Sequence, residues 1–208
     1  MSSGAAVADD PSTAGPHSGV VEVLRQRRSR SVFDPDLILS DNELRVLLEA
    51  ARWAPSAGNS QPWRFLVGRR GDAAHRRIVA ALSRGNLGWA PAASAILITL
   101  EQTATDPGSD LPYSDYAAYD LGQAAAHLTV QAQSMGLWTH QFAGFDHDRI
   151  AADFRVPDNL AVRTGIAVGR PLPEDRHDGV DELVVARERR PRQRKPVDEL
   201  LLNSDALG

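Results

Sequence analysis

Ala54-Pro55-Ser56-Ala57-Gly58-Asn59-Ser60-Gln61-Pro62-Trp63-Arg64-Phe65 joins a strongly periodic helical segment to a short apolar run. Two prolines bracket small and polar residues, and a large aromatic follows. Pro55 and Pro62 restrict the backbone, and Gly58 admits conformations that other residues avoid. Side chains this small let main-chain N–H and C=O groups come close to a flat ligand, so the loop suits the edge of a planar heterocycle. It is equally compatible with a plain helix-to-strand connection.

On the N-terminal side of this loop, Ser40-Asp41-Asn42-Glu43 is a capping box, and Leu44, Leu47, Leu48 and Ala51 follow at helical spacing. They predict a helix that stops before Pro55. On the other side, Trp63–Val67 reads as a strand, residues 71–83 as a helix with a charged face, and Ala95–Leu100 as a buried strand. Residues 116–135 form the longest helical stretch, rich in alanine, with Gly136 as its C-cap. Trp138–Phe142 and Arg163–Val168 are further strands, and Asp146 caps a helix carrying Ile150 and Phe154. Residues 171–190 read as polar and irregular, and residues 191–202 as a basic and apolar arm. Helices interleave with four or five short strands without regular β-α-β alternation, which favours α+β over a doubly wound sheet. Residues 1–18 read as a disordered tail, residues 19–202 as one domain and residues 203–208 as a C-terminal tail.

Composition narrows the function. The chain has 208 residues, no cysteine and a net charge of −4. Disulfides, thiolate metal sites and a cysteine nucleophile are excluded, and bulk attraction to nucleic acid is not expected. The longest apolar stretch, near Ala90–Leu100, is too short and too interrupted by proline to span a bilayer. No secretory signal is visible, so a cytoplasmic protein is expected. The histidines show no metal spacing, and no metal is expected.

Basic charge is unevenly spread. Arg25, Arg27, Arg28 and Arg30 cluster near one end, and Arg187, Arg189, Arg190, Arg192, Arg194 and Lys195 near the other, together ten of the 23 cationic residues. Two such runs are either separate solvated faces or, if the fold joins them, a phosphate-sized positive pocket. Arginine suits the second role because its planar fork bonds phosphate oxygens bidentately.

Three separated motifs resemble the nitroreductase family of FMN-dependent oxidoreductases. The first is Arg27-Arg28-Ser29 with Phe33 beyond it. The second is Pro55-Ser56-Ala57-Gly58-Asn59-Ser60-Gln61-Pro62-Trp63. The third is Pro191-Arg192-Gln193-Arg194-Lys195-Pro196. Met135-Gly136-Leu137 and Gly144-Phe145-Asp146 match between them, in order, across residues 19–202. The resemblance implies a nitroreductase-like α+β sandwich: a central mixed, mostly antiparallel sheet flanked by helices, dimeric through long helices, with FMN at the subunit interface.

By similarity, Arg27 and Ser29 hold the FMN phosphate from one side and Arg192 and Arg194 from the other, with Arg28 less certain because helix neighbours point to different faces. Pro55, Ser56, Ala57 and Asn59 come from the partner subunit, with Gln61 nearby. Gly144, following Ala143, offers a backbone N–H to the reactive ring nitrogen. Each position also has a plain structural reading: surface ion pairs for the arginines, loop closure for Asn59, core packing for Trp63, a turn for Gly144. His140 is a further residue to watch.

Departures from the family pattern matter. Ser31 stands where many relatives carry a second cation near the pyrimidine end of the flavin, with Arg30 one position early. The segment Asn86-Leu87-Gly88-Trp89 lacks the obvious Asn and Lys that some relatives use, and Ala143 replaces a Glu. The connection 101–116 is short where some relatives insert a lid.

The resemblance implies that NADH or NADPH reduces FMN, and that a small-molecule acceptor, nitroaromatic or quinone-like, is then reduced at the same open face by a ping-pong mechanism. No protein nucleophile or metal is required, and neither nucleic acid nor membrane is an expected partner. Rival readings are a specialised flavin enzyme of the same superfamily (dehalogenase, flavin-fragmenting or dehydrogenase type), a non-catalytic flavin-binding protein and, least favoured by the acidic balance, a nucleic-acid module.

Overall fold

The computed structural model describes residues 19–203. The expected disordered tail, residues 1–18, and residues 204–208 of the expected C-terminal tail lie outside them.

The sheet is built on β2 (Ala95–Gln102), a run of eight buried residues. Such a run is apolar on both faces because it must be covered on both. Period-two alternation divides it: Ile96 and Ile98 join one core, Ala95 and Leu97 the other. β1 (Trp63–Arg69), β3 (Trp138–Phe142) and β4 (Leu160–Gly169) complete a four-stranded sheet in the order β1-β2-β4-β3. All three named pairings are antiparallel. The parallel contribution is a single bridge, Ser29 to Thr139, where the N-terminal segment lies along the outer edge of β3. That edge is thereby covered rather than left to pair with another chain.

Helices cover both faces. On one side α2 (Asp41–Arg52) and α5 (Ala117–Ser134) bring Leu44, Leu47, Leu121 and Leu128 against Leu97, Ile166 and Val168. On the other, α3 (Ala73–Ala80) and α6 (His147–Phe154) bring Ile78 and Ile150 against Ile96, Ile98 and Phe142. This is the α+β sandwich. The capping box forms as spelled: Ser40 Oγ accepts from Glu43 N at 3.2 Å, and Glu43 Oε2 accepts from Ser40 N at 2.8 Å. Trp63 is 7% exposed within the core, which is the packing role. α5 closes at Gly136, past which Leu137 N reaches back to Ala132 O at 2.9 Å.

Several elements differ from expectation. The helix expected over residues 71–83 is shorter, capped by Asp72, and a separate short α4 (Arg84–Leu87) follows it. Residues 171–190 are not irregular throughout: they carry a helical turn, Glu174–Arg176, and α7 (Glu182–Glu188). Val184 alone of α7 is buried, so the helix has too little apolar stripe to betray its period. A short α1 (Glu22–Gln26) leads into the first arginine cluster. Among the described residues no helix is long and apolar enough to cross a membrane.

Candidate functional site

The two arginine-bearing ends of the chain meet beside β3. Arg192 Nη1 donates to Arg27 O at 3.0 Å and also to Arg25 O, while Arg28 Nη2 donates to Arg190 O at 2.9 Å. Together these segments line a pocket of about 220 Å³, with Arg27, Arg28 and Ser29 from one end and Arg187, Glu188, Arg190, Arg192 and Arg194 from the other. Arg27 Nη1 lies 3.4 Å from Ser29 Oγ. Burial, and then the neighbouring charges of Arg194 and Arg192, lower the pKa of Arg27. Among the described residues, Arg27, Arg28, Arg187, Arg190 and Arg194 make no ion pair with a carboxylate. Cations crowded in this way, without acidic partners, favour an anion between them.

A second cleft of about 380 Å³ opens next to this pocket and shares Arg27 and Ser29 with it. Its other walls are Leu24, Ala126, Thr129 and Val130 from the helices and Thr139 and Gln141 from β3. Gln141 Nε2 donates to Thr129 Oγ1 at 3.1 Å, which fixes the polar floor. The paired clefts present a positive end and a larger, mainly apolar end.

Behind the arginine pocket lies a buried polar cluster. Ser31 is 7% exposed, and its Oγ is 3.0 Å from His140 Nδ1, which is also 3.1 Å from Arg30 O. The His140 ring stacks on Trp89 with centroids 4.3 Å apart. Burial lowers the His140 pKa, opposed by its hydrogen bond to Arg30 O and by the charge of Glu188. Arg30 is held over the Trp138 ring at 4.6 Å and pairs with Glu188 at 3.1 Å. Ser31 and Arg30 are thus engaged with protein groups, and neither lines the two clefts.

The proline-bracketed loop is a third element. Gly58, Asn59 and Gln61 all have positive φ, at 58°, 56° and 51°. Two non-glycine residues in that region within one short loop are uncommon, and such strain concentrates at functional sites. The loop is held from several sides. Asp120 Oδ2, from a residue 2% exposed on α5, accepts from Ala57 N at 3.0 Å. Tyr113 Oη donates to Ser60 O at 2.6 Å, and Ser56 Oγ accepts from Gln61 N at 3.1 Å. Asn59 Oδ1 accepts from Gln61 Nε2 at 3.2 Å, so these two side chains close the loop on itself. Pro55, Ala57, Gly58 and Asn59 remain exposed.

The turn Ala143-Gly144-Phe145 is the fourth. Gly144 O accepts from Ser83 N at 3.0 Å and from Asn86 Nδ2 at 2.9 Å. A Cβ on Gly144 would stand 2.7 Å from Ser83 Oγ and 2.8 Å from Asn86 Nδ2. The absence of a side chain there serves this close approach. Among the described residues the Gly144 N–H has no acceptor. Ala143 is exposed beside it.

The sequence of residues 24–88 matches the model of the nitroreductase family. A solved oxidoreductase that contains FMN superposes with a TM-score of 0.80 at 30% identity, over 88% of this chain and 91% of that one. The chain belongs to the nitroreductase family. A 15.4 kDa uncharacterized protein of Mycolicibacterium smegmatis is 38% identical over 145 residues, covering 66% of this chain and 92% of that protein. A protein of Archaeoglobus fulgidus, provisionally named NADH dehydrogenase/NAD(P)H nitroreductase, is 28% identical over 159 residues, covering 74% of this chain and 86% of that one.

Within this member of the nitroreductase family, the candidate residues fall into separate groups. Arg27, Arg28, Ser29, Arg192 and Arg194 share one pocket. Ser31 lies buried behind it. Pro55, Ser56, Ala57, Asn59 and Gln61 sit on a loop that borders neither cleft of its own chain, and Ala143 and Gly144 form a turn tied to α4. Arg192 spends Nη1 on two carbonyls of the N-terminal turn, so it also builds the pocket it lines. Asn86, which the sequence places only in a segment lacking the Asn and Lys of some relatives, holds the Gly144 turn, and Glu188, to which no motif points, holds the Ser31 backbone. Neither has a local signal, because each acts on a segment remote in sequence.

Proposed function

We propose that this nitroreductase-family protein binds FMN between two copies of the chain and uses it as an NAD(P)H-dependent oxidoreductase, reducing a planar nitroaromatic or quinone-like acceptor. The observation that carries the reading is the arginine pocket: guanidinium groups converge from both ends of the chain beside a larger cleft, and among the described residues Arg27, Arg28, Arg187, Arg190 and Arg194 have no carboxylate partner. The residues present fit the cofactor. Arg27, Ser29, Arg192 and Arg194 would hold its phosphate with charge-assisted bonds, with Arg28 at the pocket wall. The Gly144 N–H, which lacks an acceptor among the described residues, would donate to the ring, and Asn86 keeps that turn in place.

The exposed face of α5 supports the dimer reading. Ala118, Gly122 and Ala126 recur every four residues on its exposed face, beside exposed Tyr119. In a two-fold interface the same stripe meets itself. Asp120, which anchors the Pro55–Asn59 loop, lies nine residues from Thr129, or about 14 Å along the helix at the usual rise. Antiparallel α5 helices crossing near residue 124 would lay the loop of one copy beside Thr129 of the other, which lines the larger cleft. A loop that borders no cleft of its own chain would then cover one in the second copy.

FMN, when bound, supplies the two-electron chemistry between the nicotinamide donor and the acceptor. The chain grips the phosphate, positions the ring through the Gly144 turn and shields it with the loop, leaving one face for donor and acceptor in turn. That arrangement gives ping-pong kinetics. A specialised flavin reaction is the second reading, favoured by Ser31, whose hydroxyl is taken up by His140 and brings no charge toward the cleft.

The test is anaerobic reduction of the FMN-loaded protein by NADH and by NADPH, followed by steady-state rates with nitrofurazone and menadione. Bleaching of the flavin band and parallel-line kinetics are expected. If neither nucleotide bleaches the flavin, the reductase reading fails.

A further inference from the structure

Glu188, the last residue of α7, is the only acidic residue lining the arginine pocket among the described residues. A carboxylate beside a site for a dianion is unfavourable unless its own charge is engaged elsewhere. Here it is. The Glu188 side chain is 5% exposed, and Oε2 takes Arg30 Nη1 at 3.1 Å. Oε1 accepts the backbone N–H of Val32 at 3.1 Å and that of Ser31. The charge is engaged by Arg30 and by the Ser31 and Val32 backbone, and among the described residues it makes no ion pair with Arg27, Arg28 or Arg194.

These bonds connect the two halves of the pocket. Residues 31–33 enter the core, with Val32 and Phe33 at 4% and 2% exposed, and Arg27 and Ser29 precede them directly. The arm bearing Arg192 and Arg194 leaves from the end of α7. A carboxylate that accepts two successive backbone N–H groups fixes both distance and orientation between the segments, which one point contact cannot do.

We propose that Glu188 is a positioning residue for the cofactor phosphate: it sets the spacing between the Arg27–Ser29 segment and the Arg192–Arg194 arm, and so gives the protein its preference for a phosphorylated flavin. This rests on the reading of the arginine pocket as the FMN phosphate site. Removing Glu188 takes away the carboxylate tie between the end of α7 and the Ser31–Val32 backbone, so the spacing rests only on the Arg192 and Arg28 bonds across the pocket, while every arginine stays in the chain. Affinity for the phosphate falls, and affinity for the ring does not.

Flavin-free full-length protein is titrated with FMN and with riboflavin, which lacks the phosphate, following flavin fluorescence. Wild type is expected to bind FMN at least about 100-fold more tightly than riboflavin, the scale of two charge-assisted contacts. In Glu188→Ala that ratio falls at least tenfold through weaker FMN binding, with riboflavin binding within twofold of wild type. Glu188→Gln keeps an oxygen for the Ser31 and Val32 N–H groups but loses the charge facing Arg30, and falls between the two. It also supplies the ratio if Glu188→Ala does not fold. An unchanged ratio, or equal losses for both flavins, overturns the proposal. A wild-type protein that binds both flavins equally instead overturns the phosphate reading itself.

Discussion

Replacing Gly144 by alanine puts a methyl group where Ser83 Oγ and Asn86 Nδ2 already stand. Both are ends of side chains and can move, but Asn86 then loses its bond to Gly144 O. We expect Gly144→Ala to lower stability by about 1 kcal/mol in a urea titration, the usual worth of one such bond, and to alter the bound flavin spectrum. An unchanged spectrum would separate this turn from the ring. His75 and His140 carry a second prediction. Burial lowers both pKa values. In the unfolded chain each titrates near about 6.5, so below that pH the unfolded state takes up protons that the native state resists. Stability should therefore hold above about pH 6.5 and fall as the pH is lowered toward the native values. His75 Nε2 is buried without a hydrogen-bond partner, and His75→Leu should flatten that acid limb in urea titrations across the range. At this scale the meeting of Arg27 and Ser29 with Arg192 and Arg194 in one pocket was open to sequence reading, because the basic residues gather in two short runs. Glu188 and Asn86 were not, since Glu188 serves a backbone 157 residues away and Asn86 one 58 residues away.

Elements whose signals are local were read well. The Ser40 capping box, the stripe of α2 and the run of β2 each contain their own instruction within a few residues. Ser40→Ala should cost about 1 kcal/mol, measured as a shift in urea midpoint. α7 was missed because Val184 is the one buried apolar residue among its seven, so its position is set by Glu188 and the arm rather than by its own period. The β3–β4 pairing was invisible for another reason: it rests on fit between elements. Phe142 lies opposite Gly165, and a Cβ on Gly165 would stand 2.3 Å from its ring. Gly165→Ala should destabilise by about 1–3 kcal/mol through overpacking, and Phe142→Leu in the same chain should recover part of that loss. Strictly additive losses in the double variant would show that the ring is not what the alanine meets.

For the molecule as a whole, the proposed site needs a second copy. Wild type should sediment at twice the 22.5 kDa chain mass. Ala118→Arg, on the exposed face of α5 and outside both clefts, should shift it toward monomer and weaken FMN binding together. A monomeric wild type that still binds FMN would contradict the shared site. The central claim is that both ends of the chain grip one phosphate, and its most direct measurement is FMN affinity in the Arg192→Ala, Arg194→Ala double variant, by equilibrium dialysis against wild type. Each charge-assisted contact is worth about 1.5–3 kcal/mol, so the double variant should bind FMN about 100-fold more weakly or worse. Equal retention of FMN by the two proteins would contradict the claim.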